Sequence, residues 1–218
     1  DDAIGFINDA NKQEDPFFMY LAFNAPHDPR QAPKKFLELY PINNIKLPKN
    51  YSPQHPYMRE IGNMPGLRDE ALAPYPRSEY AVKKHIQEYY AVISHLDQQV
   101  GKIIDHLENQ EMLDNTYIVF TSDHGLAVGQ HGLIGKQSLY DHSIRVPMII
   151  SGPDIEKGKK ISHDIYLQDI VPTTFDLADI AIPDDIDFKS FYPLIKGIDN
   201  QSKHDGIYGT FGCCPPNY

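Results

Sequence analysis

Residues 78–110 constrain the fold more than any other stretch. Val82, Ile86, Tyr89, Ile93, Leu96, Val100, Ile103 and Leu107 recur at alternating steps of four and three. That spacing puts them all on one face of a long helix. A stripe of this length has to be covered, either by an apolar layer such as a sheet or by a partner helix. The rest of the chain favours the sheet. Residues 17–23 and 117–121 are short apolar runs of the kind found in strands covered on both faces, and 146–151 is a third, closed by Gly152-Pro153. Helical patterns are predicted at 2–12, 33–40 and 167–180, the last with Pro172 near its first turn. Strands alternating with helices imply an α/β domain, a largely parallel sheet flanked by helices.

At 218 residues, 41% of them hydrophobic, the chain can bury one sizeable core. Its net charge of −10 argues against a nucleic-acid groove, and the one basic run, 157–160, is broken by Gly158. No apolar stretch approaches the roughly 18 to 20 residues of a membrane span. There is no signal-peptide pattern, so the chain carries no address of its own. Cys213 and Cys214 are adjacent, which gives neither a disulfide framework nor a CxxC pair. The chain opens directly on an amphipathic helix pattern and closes on a strand-like run that stops in a turn, as expected of a fragment of a larger protein. Residues 41–78 are rich in Pro, Asn and Tyr with almost no periodicity, which suggests a lid or substrate loop.

Chemistry gathers after two strand ends, the edge where open α/β sheets bind ligands. The run 17–23 leads to His27, set in the sequence Asn24-Ala-Pro-His27-Asp-Pro. The run 117–121 leads to "SDHGLAVGQHGLIGK", which holds Asp123, His124, His131 and Lys136 among four glycines. Asp123 and His124 offer a carboxylate oxygen and an imidazole nitrogen to a divalent cation, with Gly125 permitting an abrupt turn. The bland alternative is a surface turn. Lys136 suits a phosphate-like or sulfate-like oxygen, or is simply solvated. His131 could be a ligand or a brace for the loop, and His27 could do no more than end a strand. His85, His95 and His106 fall on the long helix and read as structural or exposed.

Four stretches, "PFFMYLAFNAPHDP", "YYAVISHLDQQVGKIIDHL", "NTYIVFTSDHGLAVGQHGLIGKQSLYDHSIRVPMIISGP" and "LQDIVPTTFDLADI", resemble in order and spacing the sulfatases of the alkaline-phosphatase-like superfamily. The resemblance runs from about residue 1 to 197, and the middle block is its most specific part. It implies hydrolysis of sulfate monoesters on a sulfated small molecule or glycan, by a formylglycine nucleophile beside bound calcium. It places Asp123 and His124 on the metal-ligand pair, His27 on the histidine facing sulfate and leaving group, and Lys136 on the lysine contacting sulfate. It also implies a secreted, periplasmic or lysosomal setting.

The chain departs from the family pattern in three places. Many sulfatases have Asn where His124 stands. His occurs in the iduronate-sulfatase-like branch and in related phosphonate monoester hydrolases, and it leaves manganese or zinc open beside calcium. The N-terminal aspartate pair is absent, since Asp1 and Asp2 begin a helix. The Cys/Ser-x-Pro-x-Arg motif that yields formylglycine is missing, and Cys213-Cys214-Pro215-Pro216-Asn217 lacks its arginine. The expectation is a later portion of a sulfatase catalytic domain covering 1–218, with 198–218 opening a truncated C-terminal part. Without the nucleophile, the isolated chain is expected to be inactive. A phosphonate or phosphodiester hydrolase of the same superfamily, or a non-catalytic binding module that kept the fold, are the alternatives.

Overall fold

The structure is a computed structural model that describes residues 1–211. Cys213, Cys214 and the end of the 198–218 segment lie outside the described residues. The chain divides into two compact units: 1–113 with 124–145, and 114–123 with the described part of 146–212.

The first unit is organised on the predicted long helix. In chain order it contains α1 (Asp2–Ala10), α2 (Lys34–Leu37) and α3 (Glu79–Asn109). Helix α3 starts at Ser78, whose side chain accepts a hydrogen bond from the Ala81 amide, satisfying one of the otherwise orphaned first-turn donors. Its N-terminal half buries Val82 and Ile86 against Ile45 and Val128, with Tyr40, Leu47, Tyr51, Tyr89 and Leu126 packed around them. Further along, the stripe stays buried or half-buried through Leu96, Val100, Ile103 and Leu107 and is interrupted at Ile93. Ile93 is 38% exposed, whereas Ala91 and Val92 are buried. The reason is a second covering on another side of the helix. Phe36 of α2 packs on His95 with ring centroids 5.0 Å apart, and the Tyr40 hydroxyl lies 2.6 Å from Ser94 Oγ. The 41–78 segment is irregular as expected, with 3₁₀ turns at Ile42–Asn44 and Glu70–Leu72. The glycine-rich loop leads into the short helix α4 (Asp141–Ile144).

The second unit holds β1 (Ile118–Thr121) and β2 (Met148–Ser151), paired antiparallel with Ile118 opposite Ser151 and Thr121 opposite Met148. Helices α5 (Ile170–Leu177) and α6 (Tyr192–Ile195) complete it. Phe191, Leu194 and Ile195 form its buried centre, packed by Ile150, Ile155, Ile165, Ile170 and Leu177. The buried Asp169 carboxylate ties three segments together, accepting from the Tyr166 and Lys189 amides and from His204 Nε2.

The largely parallel sheet expected from sequence is not seen among the described residues. The strands that pair are two, and they are antiparallel. The apolar run 17–23 forms no ladder, and Phe18 and Tyr20 stand 72% and 82% exposed. Apolar content alone does not make a strand, because each backbone N–H and C=O of a strand needs a neighbouring strand to pair with.

The cap of α3 gives a direct test of what starts the helix. Ser78→Ala is expected to lower unfolding stability by about 1 kcal/mol, and Ser78→Asp to leave it nearly unchanged. Urea unfolding followed by circular dichroism measures both.

Candidate active site

His27 and Lys136 are 109 residues apart in sequence, and the structure brings them into contact: Lys136 Nζ lies 3.0 Å from His27 Nε2. Each is held by its own local device. His27 Nδ1 lies 3.0 Å from the Asp28 carbonyl, which can only accept, so Nδ1 carries the hydrogen and Nε2 presents its lone pair. The same loop is anchored to α3 through Arg30, whose side chain is almost wholly buried. Its Nη1 donates to His85 Nδ1 at 2.7 Å and its Nε lies 3.2 Å from the Asp28 carboxylate. Burial first, and the Arg30 charge second, hold the His85 imidazole below its ordinary pKa, which suits an acceptor of that bond.

Lys136 is positioned by the irregular 62–77 segment, part of the stretch with almost no periodicity. Asp69 and Glu70, both buried, dock there onto the 132–137 loop. Glu70 accepts hydrogen bonds from the Gly135 amide at 2.8 Å, the Ile134 amide at 3.2 Å and the Tyr75 hydroxyl at 3.0 Å. It also pairs with Arg77 at 2.5 Å, both side chains being 0% exposed. Arg77 in turn donates to the Gly132 and Ala73 carbonyls and lies over the Tyr75 ring. Burial, then the Glu70 charge, pushes the Tyr75 phenol up to about 12. Gly135 is required for this docking, since a Cβ there would stand 2.8 Å from Asp69 Cβ and 3.1 Å from Glu70 Oε1.

Asp69 takes hydrogen bonds from Gln137 Nε2 at 2.8 Å and Arg68 Nε at 2.9 Å, with Lys136 Nζ at 3.6 Å. Burial alone would raise its carboxyl pKa, but these donors and the two cations together leave it below the ordinary value. Arg68 completes the cluster, its Nη2 lying 3.1 Å from the same His27 Nε2 that Lys136 approaches. Two cationic donors therefore converge on one imidazole nitrogen beside an ionised carboxylate, an arrangement that can hold a tetrahedral oxyanion. Arg68, Asp69 and Glu70 were missed in the sequence. The available signal was their run of three charges inside a loop otherwise dominated by Pro, Asn and Tyr.

His131 turns out to be a brace. Asn50 Nδ2 donates to its Nε2 at 2.9 Å, and its ring stacks on Tyr140 at 4.3 Å. Tyr140 also meets His55 Nε2 at 2.8 Å. His142 sits against the same pair of rings, and burial, followed by the charge of His131, lowers its pKa to about 4.

Asp123 and His124 are consecutive but fall in different units. Ser122 Oγ donates to Asp123 Oδ1 at 3.4 Å. His124 Nδ1 lies 3.0 Å from the Gly125 carbonyl. No group of three or more potential metal ligands occurs among the described residues.

Comparison with known proteins sets this geometry in a family. The family profile described as Sulfatase matches residues 1–180. A sulfatase of Formosa agariphila is 32% identical over 204 residues, covering 90% of this chain and 38% of that protein. Iduronate 2-sulfatase of Mus musculus is 30% identical over 241 residues, covering 94% and 43%. Among solved structures, the phosphonate monoester hydrolase SpPMH from Silicibacter pomeroyi superposes with a TM-score of 0.71 at 25% identity, covering 89% of this chain and 41% of that one. Ps i-CgsB, solved with k-i-k-neocarrahexaose, gives 0.65 at 26% identity, covering 92% and 38%. The chain belongs to the sulfatase family. It spans about two fifths of the length of these relatives, and the matches do not single out the iduronate-sulfatase branch.

Two measurements test the site's supports. Glu70→Ala leaves Arg77 buried without its partner and strips two amides of their acceptor. It is expected to destabilise the protein by roughly 3–5 kcal/mol in urea unfolding. His142 tests pH. Its folded pKa of about 4 is below the ordinary 6.5, so the unfolded chain takes up the proton first as pH falls. Its contribution to stability is complete above pH 6.5 and is lost as pH drops towards 4. The difference in urea midpoint between the wild type and His142→Gln should narrow or reverse across that window and stay flat above it.

Proposed function

We propose that these residues form the later part of the catalytic domain of a sulfuric ester hydrolase acting on sulfate monoesters of a small molecule or glycan. The observation that carries the reading is the convergence of Lys136 and His27 at 3.0 Å. Membership of the sulfatase family supports it. In this reading Lys136 binds non-bridging sulfate oxygens and His27 faces the bridging oxygen. Fixed donors aimed at atoms whose charge grows in the transition state stabilise it more than the ground state. An oxyanion entering the cluster offers Lys136 an oxygen in place of the His27 lone pair. Nε2 is then able to hold a proton directed at the departing alkoxide, which makes His27 the general acid.

The nucleophile, a formylglycine by family resemblance, lies outside these residues in this reading. Asp123 and His124 are proposed as two ligands of a divalent cation, calcium first and manganese or zinc as alternatives. A bound cation would supply Lewis-acid stabilisation of negative charge on the transferring group. The apolar run 17–23 is proposed as a strand of a larger parallel sheet, with partners outside the described residues. The iduronate-sulfatase-like branch is the finer assignment, resting on His124. Phosphonate monoester hydrolysis is the second reading, favoured by the likeness to SpPMH.

Steady-state kinetics of the full-length protein test these roles. Lys136→Ala should lower kcat by about 10²- to 10³-fold, the usual loss for one such donor. His27→Ala should slow an unactivated sugar sulfate more than a nitrophenyl sulfate, because only the poor leaving group needs protonation. A higher kcat/KM for a phenyl phosphonate monoester than for the aryl sulfate would move the assignment to the second reading. Calorimetry of residues 1–218 alone should show weak calcium binding, since such sites usually need about six to eight oxygens. Tight stoichiometric binding would contradict the proposal that further ligands come from elsewhere.

A further inference from the structure

Arg68 and Lys136 approach the same nitrogen, at 3.1 and 3.0 Å, from very different degrees of enclosure. The lysine side chain is 17% exposed and the arginine 70%. Arg68 is nevertheless not a loose surface group. Its Nε is fixed on the buried Asp69 at 2.9 Å, and Asp69 and Glu70 bind its own stretch of backbone to the 132–137 loop. With Nε on Asp69 and Nη2 at His27, the remaining Nη1 has no hydrogen-bond partner among the described residues. A guanidinium held by one edge and open at the other is a preorganised receptor for a second oxyanion.

Which oxyanion follows from position, given the sulfatase reading on which this inference rests. The enclosed donor, Lys136, is placed to take the sulfate that is transferred. His27 faces the bridging oxygen, so the exposed side chain touching His27 flanks the alcohol that leaves. We propose that Arg68 recognises a second anionic substituent, a carboxylate or a further sulfate, on that alcohol. The site then selects acidic sulfated sugars over neutral ones.

The test compares kcat/KM of the full-length protein on three substrates. These are a neutral hexose 6-sulfate, the same hexose with a second sulfate, and a sulfated hexuronic acid. The wild type should prefer one or both acidic substrates, and the preference should shrink as salt is raised, because an exposed ion pair is screened. Arg68→Gln should cut the acidic-to-neutral ratio roughly 10-fold, mainly through KM, as expected for a lost charge-assisted hydrogen bond. Arg68→Lys, which keeps the charge but not the fork, should retain part of the preference. Whether the carboxylate or the sulfate substrate loses more identifies the group bound. An unchanged ratio in Arg68→Gln overturns the inference, including the case in which all three substrates slow equally because Arg68 acts on the transferred sulfate or positions His27. If the wild type hydrolyses none of the three, the sulfatase reading itself fails and takes this one with it. The urea midpoint of each variant shows that the fold is intact.

Discussion

The buried Glu70–Arg77 pair is the contact on which the site depends. An ion pair with both members out of water is favourable only when every remaining lone pair and proton finds a partner. Here the partners are backbone. Two amides of the glycine-rich loop donate to Glu70, and Arg77 donates to the Gly132 and Ala73 carbonyls. The irregular 62–77 segment and the 132–137 loop therefore cannot separate without exposing several unsatisfied groups at once. Asp69, next in sequence to Glu70, is carried into the wall beside Lys136, and Arg68 is left at the rim. A loop with no regular secondary structure acquires its precision in this way, from hydrogen bonds to a second loop.

This also explains what could be read from sequence and what could not. Helix α3 was legible because an apolar repeat at steps of four and three is the signature of one helical face. His27 and Lys136 stood out as candidates because they sit in distinctive stretches that the family resemblance picks out, and the structure places them in contact. The exposure of Ile93 was not legible, since periodicity says which residues share a face but not how far along the helix a covering extends. Nor was the failure of 17–23 to pair, because strand pairing is a property of the neighbours. Arg68, Asp69 and Glu70 lacked any periodic cue. Buried acids in a loop are rare enough that composition predicts their exposure, and only the specific donors on Ile134, Gly135, Gln137 and Arg77 make their burial tolerable.

The electrostatic logic of the cluster follows from the same contacts. Two cations within hydrogen-bond reach of one nitrogen repel each other, the more so because Lys136 is largely enclosed. Asp69, 2.9 Å from Arg68 Nε and 3.6 Å from Lys136 Nζ, offsets that repulsion while staying one layer behind the open side. The donors on its oxygens keep it ionised, so the compensation persists when the site is empty. An arriving oxyanion meets the cations on the side Asp69 does not occupy. It can take up the Lys136 donor without displacing the carboxylate, and His27, held through Nδ1 by the Asp28 carbonyl, keeps its ring orientation throughout. Because supports and contacts are separate groups, the oxyanion can bind and leave while Asp69, Glu70 and Arg77 keep their partners.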